Sequence, residues 1–270
     1  MKDVKRGGIF MSDSGEIKLK VNQINKYTYS ITERGCTSYL IIGSKKTLVI
    51  DFLFPGDFSL LNEIRKYSLN ELIPVLTHGH FDHTGHLNEF ETVYMAEEDL
   101  HLLKDNNIEI KVISDNQKFD LGNMVIKAYK IKGHTNGSVI FIDEKSHNLF
   151  TGDEFGSGCG VWLQLNDASD LSTYIKEIDK FKAYLINNCD ISFYDWHYYP
   201  GHLGQEFQSK VSSHNPVDSY LIDDLKELSE KLINNEVELI ESSAKQGYNE
   251  QSFYARFKKA EMITRKSLIK

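Results

Sequence analysis

Cysteine is scarce in this chain. The 270 residues hold three, Cys36, Cys159 and Cys189. An odd number at wide spacing implies no disulfide framework and fits a reducing compartment. Long apolar runs are missing as well, and none is long enough to cross a membrane. Met1 to Ile9 is basic and contains glycine, but it lacks the apolar centre of a signal peptide. These absences lead to the expectation of a cytoplasmic protein with no membrane partner. Met11 is an alternative start, so residues 1–15 are expected to form a frayed extension. An excess of positive charge is missing too. The formal net charge is −8, which argues against a general affinity for nucleic acid, because that affinity needs many basic phosphate contacts. No low-complexity segment and no linker interrupts the chain. Its length is enough to bury a large core, and a single domain over residues 1–270 is expected.

What the chain does have is concentrated in Thr77-His78-Gly79-His80-Phe81-Asp82-His83. Three imidazoles and a carboxylate crowd into one short stretch. Imidazole is the commonest ligand of zinc and iron, and carboxylate completes such sites. In an extended segment His78 and His80 point the same way, since the side-chain period of a strand is two. Asp82 and His83 then turn away and can serve a second ion. A core would have to supply hydrogen-bond partners for all four groups, which it rarely does. Further on, His134, Asp153 and His202 each follow a glycine, and each follows a run that reads as a strand. A glycine there lets the backbone turn at a strand end.

The chain also carries a weak internal repeat. Ser38 to Ile42, a turn, and Thr47 to Asp51 read as a hairpin ending in aspartate, and Ser138 to Ile142 with Leu149 to Asp153 repeat the plan. Each hairpin is followed by a helical segment and a strand that ends in ligands, at Ile73 to Leu76 and at Ile191 to Tyr194. Leu171, Tyr174, Ile175, Ile178, Phe181 and Leu185 follow helical spacing. Asn215-Pro216 starts a second helix with a stripe of Leu221, Leu225, Leu228 and Leu232. Phe253 to Thr264 is expected to close a sheet as an edge strand.

With these motifs in this order, the chain resembles the metallo-beta-lactamase-fold hydrolases, in particular the two-metal branch with glyoxalase II-like thiolesterases and lactonases. The resemblance runs from about Tyr27 to the C-terminus. It implies an α/β fold, a four-layer αββα sandwich with metals between the sheets. It also implies that His78, His80 and His134 hold one divalent ion, that Asp82, His83 and His202 hold another, and that Asp153 bridges them. Zinc is the expected metal, with iron and manganese as alternatives. The implied function is a dinuclear hydrolase of a small-molecule ester, thioester, lactone or phosphoester, with a hydroxide bridging the two metals as nucleophile. Asp82 is the expected catalytic residue, orienting that hydroxide and passing a proton to the leaving group.

Asp51, Trp162 and His197 are further candidates for supporting a ligand or touching substrate. The stretch Gly156 to Leu165 is either a wall over the metals or a connection whose Trp162 packs under the helix at Leu171. The segment from Trp196 to Tyr199 is a candidate pocket mouth, and Cys159 is either a reactive thiol or, the favoured reading, a small buried residue. Quorum-signal lactonases of the family place a catalytic tyrosine shortly after the bridging aspartate. Here Glu154, Phe155 and Gly156 stand there, which counts against a lactonase. The alternative from another reaction class is a persulfide dioxygenase-like oxidoreductase, with one iron on His78, His134 and Asp153.

Overall fold

The computed structural model describes residues 19–103, 107–156, 160–202, 219–244 and 250–270. The expected extension at residues 1–15, the Asn215-Pro216 helix start and Cys159 lie outside the described residues. Alternating apolar residues build the first sheet from β1 (Lys20–Gln23), β2 (Thr28–Glu33), β3 (Cys36–Ile42), β4 (Lys46–Ile50), β5 (Glu71–Val75), β6 (Thr92–Met95) and β7 (Glu109–Val112), in that spatial order. The pairs from β1 to β4 are antiparallel, and those from β4 to β7 are parallel. The short α1 (Leu60–Ile64) follows β4. The second sheet uses β8 (Lys118–Asp120), β9 (Val125–Ile131), β10 (Ser138–Asp143) and β11 (Asn148–Gly152). After β12 (Val161–Leu163) and α2 (Leu171–Asn188), β13 (His197–Pro200) adds to it in parallel beside β11.

Period-two alternation makes the layers. Tyr39, Ile41, Leu48 and Ile50 of the first sheet share one core with Ile126, Ala128, Val139, Phe141, Phe150 and Tyr199 of the second. Leu40 and Val49, one residue out of phase, face outward and pack with Leu60 and Ile64 of α1. Ile140, Ile142, Leu149 and Tyr198 face outward from the second sheet, onto Tyr174, Ile178 and Phe181 of α2 and Leu221, Leu225 and Leu228 of α3 (Tyr220–Ile233). Helix, sheet, sheet, helix is the α/β sandwich expected from the sequence. Asp170 caps α2 by accepting from the Thr173 N–H at 2.8 Å, a standard way to satisfy a free helix donor.

The internal repeat is real, with two corrections. The strand of the second half is β13, whereas Ile191 to Tyr194 leads into a 3-10 turn at Phe193–Asp195. Phe193 and Trp196 sink into the core under α2, and that burial pulls the chain out of extended pairing until His197. The C-terminal stretch is a hairpin, not one edge strand. β15 (Ser252–Phe257) and β16 (Ala260–Arg265) turn at Lys258, whose φ is +51°. With β12 and β14 (Ile240–Glu241) they form a third sheet in the order β12-β16-β15-β14. β16 is therefore internal. Among the described residues no helix is long and apolar enough to cross a membrane.

Phe141 is fully buried between the two large sheets. Phe141→Ala is expected to lower unfolding stability by about 3–5 kcal/mol, read from urea denaturation midpoints. A midpoint unchanged from the parent chain would contradict this packing.

Candidate metal centre

The ligand-bearing segments all leave the sheets at strand C-termini. β5 delivers His78, His80, Asp82 and His83; β9 delivers His134; β11 delivers Asp153; β13 delivers His202. β4 and β5 run parallel, as do β11 and β13, so these ends meet at one rim of the sandwich. Two groups form there: His78, His80 and His134, and Asp82, His83, Asp153 and His202. Within each group the potential ligand atoms lie within 4.8 Å of one another. Asp153 touches both. Its Oδ2 is 3.0 Å from His202 Nε2 and 3.8 Å from His134 Nε2, and its Oδ1 is 3.6 Å from His83 Nε2.

Hydrogen bonds assign the ring protons. The His134 Nδ1–H donates to the Trp162 carbonyl at 2.8 Å, so its Nε2 presents a lone pair. That lone pair faces His80 Nδ1 at 2.9 Å. The His83 Nδ1–H donates to Asp51 Oδ2 at 2.9 Å. His78 Nδ1 lies 3.0 Å from Thr77 Oγ1, and the Thr77 hydroxyl donates to Asp51 Oδ2 at 2.7 Å. What remains is a set of buried atoms with no hydrogen-bond partner: Nε2 of His78, and Nε2 of His83 and Oδ1 of Asp153, which face each other at 3.6 Å. A proton on His83 Nε2 or a cation among these groups offsets the repulsion of the converging acceptor atoms. The donor set fits divalent metal ions, with imidazoles alone at one position and mixed imidazole and carboxylate at the other.

The electrostatics of the two groups differ. Burial, and then the neighbouring imidazoles, drive His78 well below the usual imidazole range and His80 down to about 3. Burial also lowers His134. In the other group burial opposes charge, but carboxylates outweigh it. Asp153, Asp51 and Asp82 hold His83 well above its ordinary value, and Asp153 is foremost in doing the same at His202. Burial raises Asp82, yet His83 and His202 bring it down to about 2. The first trio is thus neutral and ready to donate lone pairs, while the second must exchange protons for a metal ion.

Four supporting side chains matter. Asp51 accepts from the Thr77 N–H and hydroxyl and from His83, so it holds one histidine of each group. Asp99, fully buried, accepts from Gly79 N–H at 3.0 Å, Thr135 Oγ1 at 2.8 Å and Gly137 N–H at 2.8 Å. It thereby ties the His78–His80 loop to the His134 loop. Burial pushes Glu154 up to about 8, and its Oε2 accepts the His134 N–H at 3.0 Å. Cys36 Sγ lies 3.4 Å from His202 Nδ1. The sequence reading named Asp51 but missed Asp99, and Glu154 and Cys36 as supports; nothing in their local spacing marks them, because their partners are remote in the chain. The glycines before the ligands also serve differently than expected. Gly152 does take a left-handed turn, at φ +51°. Gly201 is needed for close approach, since a Cβ there would lie 2.5 Å from Asp153 Oδ1 and from His83 Cε1.

Trp162 reaches the site through its backbone carbonyl, while Val161 and Leu163 on either side pack in the core with Leu171. His197 does not join it. It is exposed and pairs with Asn148, at the far end of β11 from Gly152. Trp196 and Tyr198 are buried in the outer core and Tyr199 between the sheets, so this segment is packing and not a pocket mouth.

A family model described as the metallo-beta-lactamase superfamily matches residues 31–187. The chain is 28% identical over 163 residues to a hydroxyacylglutathione hydrolase of Wigglesworthia glossinidia brevipalpis, covering 58% of this chain and 61% of that protein. It is 28% identical over 148 residues to an atrochrysone carboxyl ACP thioesterase of Pseudocercospora fijiensis, covering 53% of this chain and 42% of that protein. It therefore spans less than two thirds of the length of either relative. A solved metallo-beta-lactamase from Pontibacter korlensis shares the fold, with a TM-score of 0.58 at 18% identity, covering 76% of this chain and 96% of that one.

Because Asp51 orients one histidine of each group, Asp51→Asn is expected to weaken metal binding at both candidate positions, by roughly 10–100-fold. Competition against a chelator of known affinity measures this. Loss at one position alone would show that the Thr77 relay to His78 carries no weight.

Proposed function

The chain belongs to the metallo-beta-lactamase superfamily, and from that premise we propose that it is a dinuclear metal-dependent hydrolase of a small-molecule thioester. The observation that carries the proposal is the convergence of buried imidazole and carboxylate atoms without hydrogen-bond partners, on His78, His83 and Asp153. Buried polar atoms are nearly always paired, so three of them at one rim call for cations. On this reading His78, His80 and His134 hold one ion, Asp82, His83 and His202 hold the other, and Asp153 bridges. Zinc suits the three-imidazole position best, and iron or manganese fit the same donors. Two such ions, when bound, supply a water ionised near neutral pH, with a pKa of about 7, and a Lewis acid for the acyl oxygen.

The chain's own residues do the rest. Asp51 and the Trp162 carbonyl hold the His83 and His134 rings in the tautomers that present Nε2. Asp82 would orient the nucleophile and pass the one proton that a hydroxide still carries on to the leaving sulfur. A thiol leaves more easily than an alcohol, its pKa being about 8.5, so this transfer suffices without a separate acid. The thioester is favoured over other esters because two relatives are named as an ACP thioesterase and a hydroxyacylglutathione hydrolase. The one-iron dioxygenase reading uses His78, His134 and Asp153 and leaves Asp82, His83 and His202 idle. Their closeness, within 4.8 Å together with Asp153, favours two ions. Cys36 and Cys189 are free thiols, in keeping with the cytoplasm as its place.

Elemental analysis of metal-supplemented protein is expected to show two ions per chain. One iron per chain, with Asp82 and His83 dispensable for binding it, would support the dioxygenase instead. Asp82→Ala is expected to lower thioester hydrolysis by roughly 10²–10⁴-fold, with an unchanged thermal melt of the metal-free chain. Parent-level turnover in that variant would remove Asp82 from the chemistry.

A further inference from the structure

The histidines that present Nε2 to the metal positions are held at their other ring nitrogen, and the holding atoms differ. The His83 Nδ1–H donates to the Asp51 carboxylate at 2.9 Å, and the His134 Nδ1–H donates to the Trp162 carbonyl at 2.8 Å. His78 Nδ1 lies 3.0 Å from the Thr77 hydroxyl, whose own proton goes to Asp51. His202 differs. Its Nδ1 meets the Cys36 sulfur at 3.4 Å. For His202 Nε2 to offer a lone pair, the proton of the neutral ring must sit on Nδ1, where it donates to that sulfur. Three ligands are thus held by oxygen and this one by a thiol, which accepts only weakly.

The backbone fixes this contact. Cys36 and His202 form an isolated antiparallel bridge. The Thr37 N–H donates to the Gly201 carbonyl at 2.8 Å, and the Gly201 N–H donates to the Gly152 carbonyl at 2.9 Å. β3 and β11 therefore pin the chain at His202 from both sides, and the sulfur bears on the ring. Cys36 is 1% exposed, so the contact is dry. The ring's other nitrogen, Nε2, faces Asp153 Oδ2 at 3.0 Å and Asp82 Oδ2 at 3.4 Å, in the mixed imidazole and carboxylate group. A partner at the outer nitrogen fixes a ligand's tautomer and direction and raises its basicity towards a metal, and a weaker partner does less of each.

We propose that Cys36 is a positioning residue that sets how firmly the mixed metal position holds its ion, and that its sulfur keeps that hold weaker than an oxygen acceptor would. The three-imidazole position, with His78 and His134 held by oxygen, does not depend on it. The Asp82 and Asp153 carboxylates attract a cation to the mixed position whatever residue stands at 36. Comparing variants at that one position therefore separates the sulfur from the charge. The consequence is a centre with one firmly held ion and one that exchanges when metal is scarce. The proposal rests on the two-ion reading above and deepens it, because it makes occupancy of the mixed position the step that metal supply controls.

Ring nitrogens report the two positions separately. The parent chain, Cys36→Ala and Cys36→Asn are isotope-labelled at histidine nitrogen and titrated with zinc buffered by chelators of known affinity. Proton–nitrogen correlation spectra then follow the His78, His80 and His134 rings for one position and the His83 and His202 rings for the other. Cys36→Asn offers a neutral amide oxygen on a side chain of similar size, whereas Cys36→Ala removes the acceptor and leaves a buried N–H unpaired. At the mixed position zinc affinity is expected to fall roughly 10–100-fold in Cys36→Ala and to rise about tenfold in Cys36→Asn, with far smaller changes at the three-imidazole position. The His202 Nδ1–H signal of the zinc-loaded chain is expected to exchange faster with solvent in Cys36→Ala, which a merely structural role would not produce. Affinity in the order Asn, parent, Ala at the mixed position supports the proposal. Any other order, or equal loss at both positions, overturns it. If a thermal melt shows one variant unfolded, the other still has a stated direction to meet. His83 and His202 rings that ignore zinc in the parent would sink the two-ion reading and this proposal with it, whereas rings that respond in the wrong order sink this proposal alone.

Discussion

The buried carboxylate of Asp51 receives the Thr77 N–H, the Thr77 hydroxyl and the His83 imidazole, and through Thr77 it reaches His78. A buried charge is tolerated only when it is fully hydrogen-bonded, and here the donors are the ligand loop itself. Satisfying Asp51 and folding His78 and His83 into place are the same event. The residue also sits in the left-handed region, at φ +61°, a conformation that costs energy for a non-glycine and persists only where its surroundings impose it. The strain falls where the chain leaves β4 for the metal centre.

The two halves of the sandwich share a plan but not an offset. Asp51 itself makes the left-handed turn after β4, whereas Gly152, the last residue of β11, makes it in the second half. Asp153 therefore steps one residue further towards the rim, between His134, His83 and His202. This one-residue difference places one aspartate behind the histidines and the other among them. Asp99 then joins the halves from the side, with Gly79 of one half and Thr135 and Gly137 of the other on its two oxygens. The third sheet completes the surround by bringing the edge of β12 to His134.

Much of this is legible in the amino-acid sequence, for a physical reason. Ligand chemistry needs particular side chains at short spacings, so His78, His80, Asp82 and His83 declare themselves in one stretch, and His134, Asp153 and His202 stand out at strand ends. Apolar alternation in β3, β4, β10 and β11 and the helical stripes of α2 and α3 are equally local, and they determine the two sheets and their helix-covered faces. Where local signal and tertiary demand part, the reading slips. Ile191 to Tyr194 has strand-like residues, but burial of Phe193 and Trp196 under α2 turns it. His197 looks like a site residue beside aromatics, yet its strand carries it to the opposite end of the sheet.

Only the tertiary structure decided which groups support the ligands. Asp99, Glu154 and Cys36 lie 20 or more residues from the ligands they steady, and hydrogen bonds across such separations leave no periodic trace in the chain. The same holds for Gly201, whose missing side chain makes room for Asp153 and His83. By itself the sequence determined the candidate ligand residues, the layered α/β architecture and the order of the elements, because those follow from residue type and short-range period. Ring tautomers, the offset between the two aspartates and the surroundings of the metals came from packing, because each depends on where separate strands end in space.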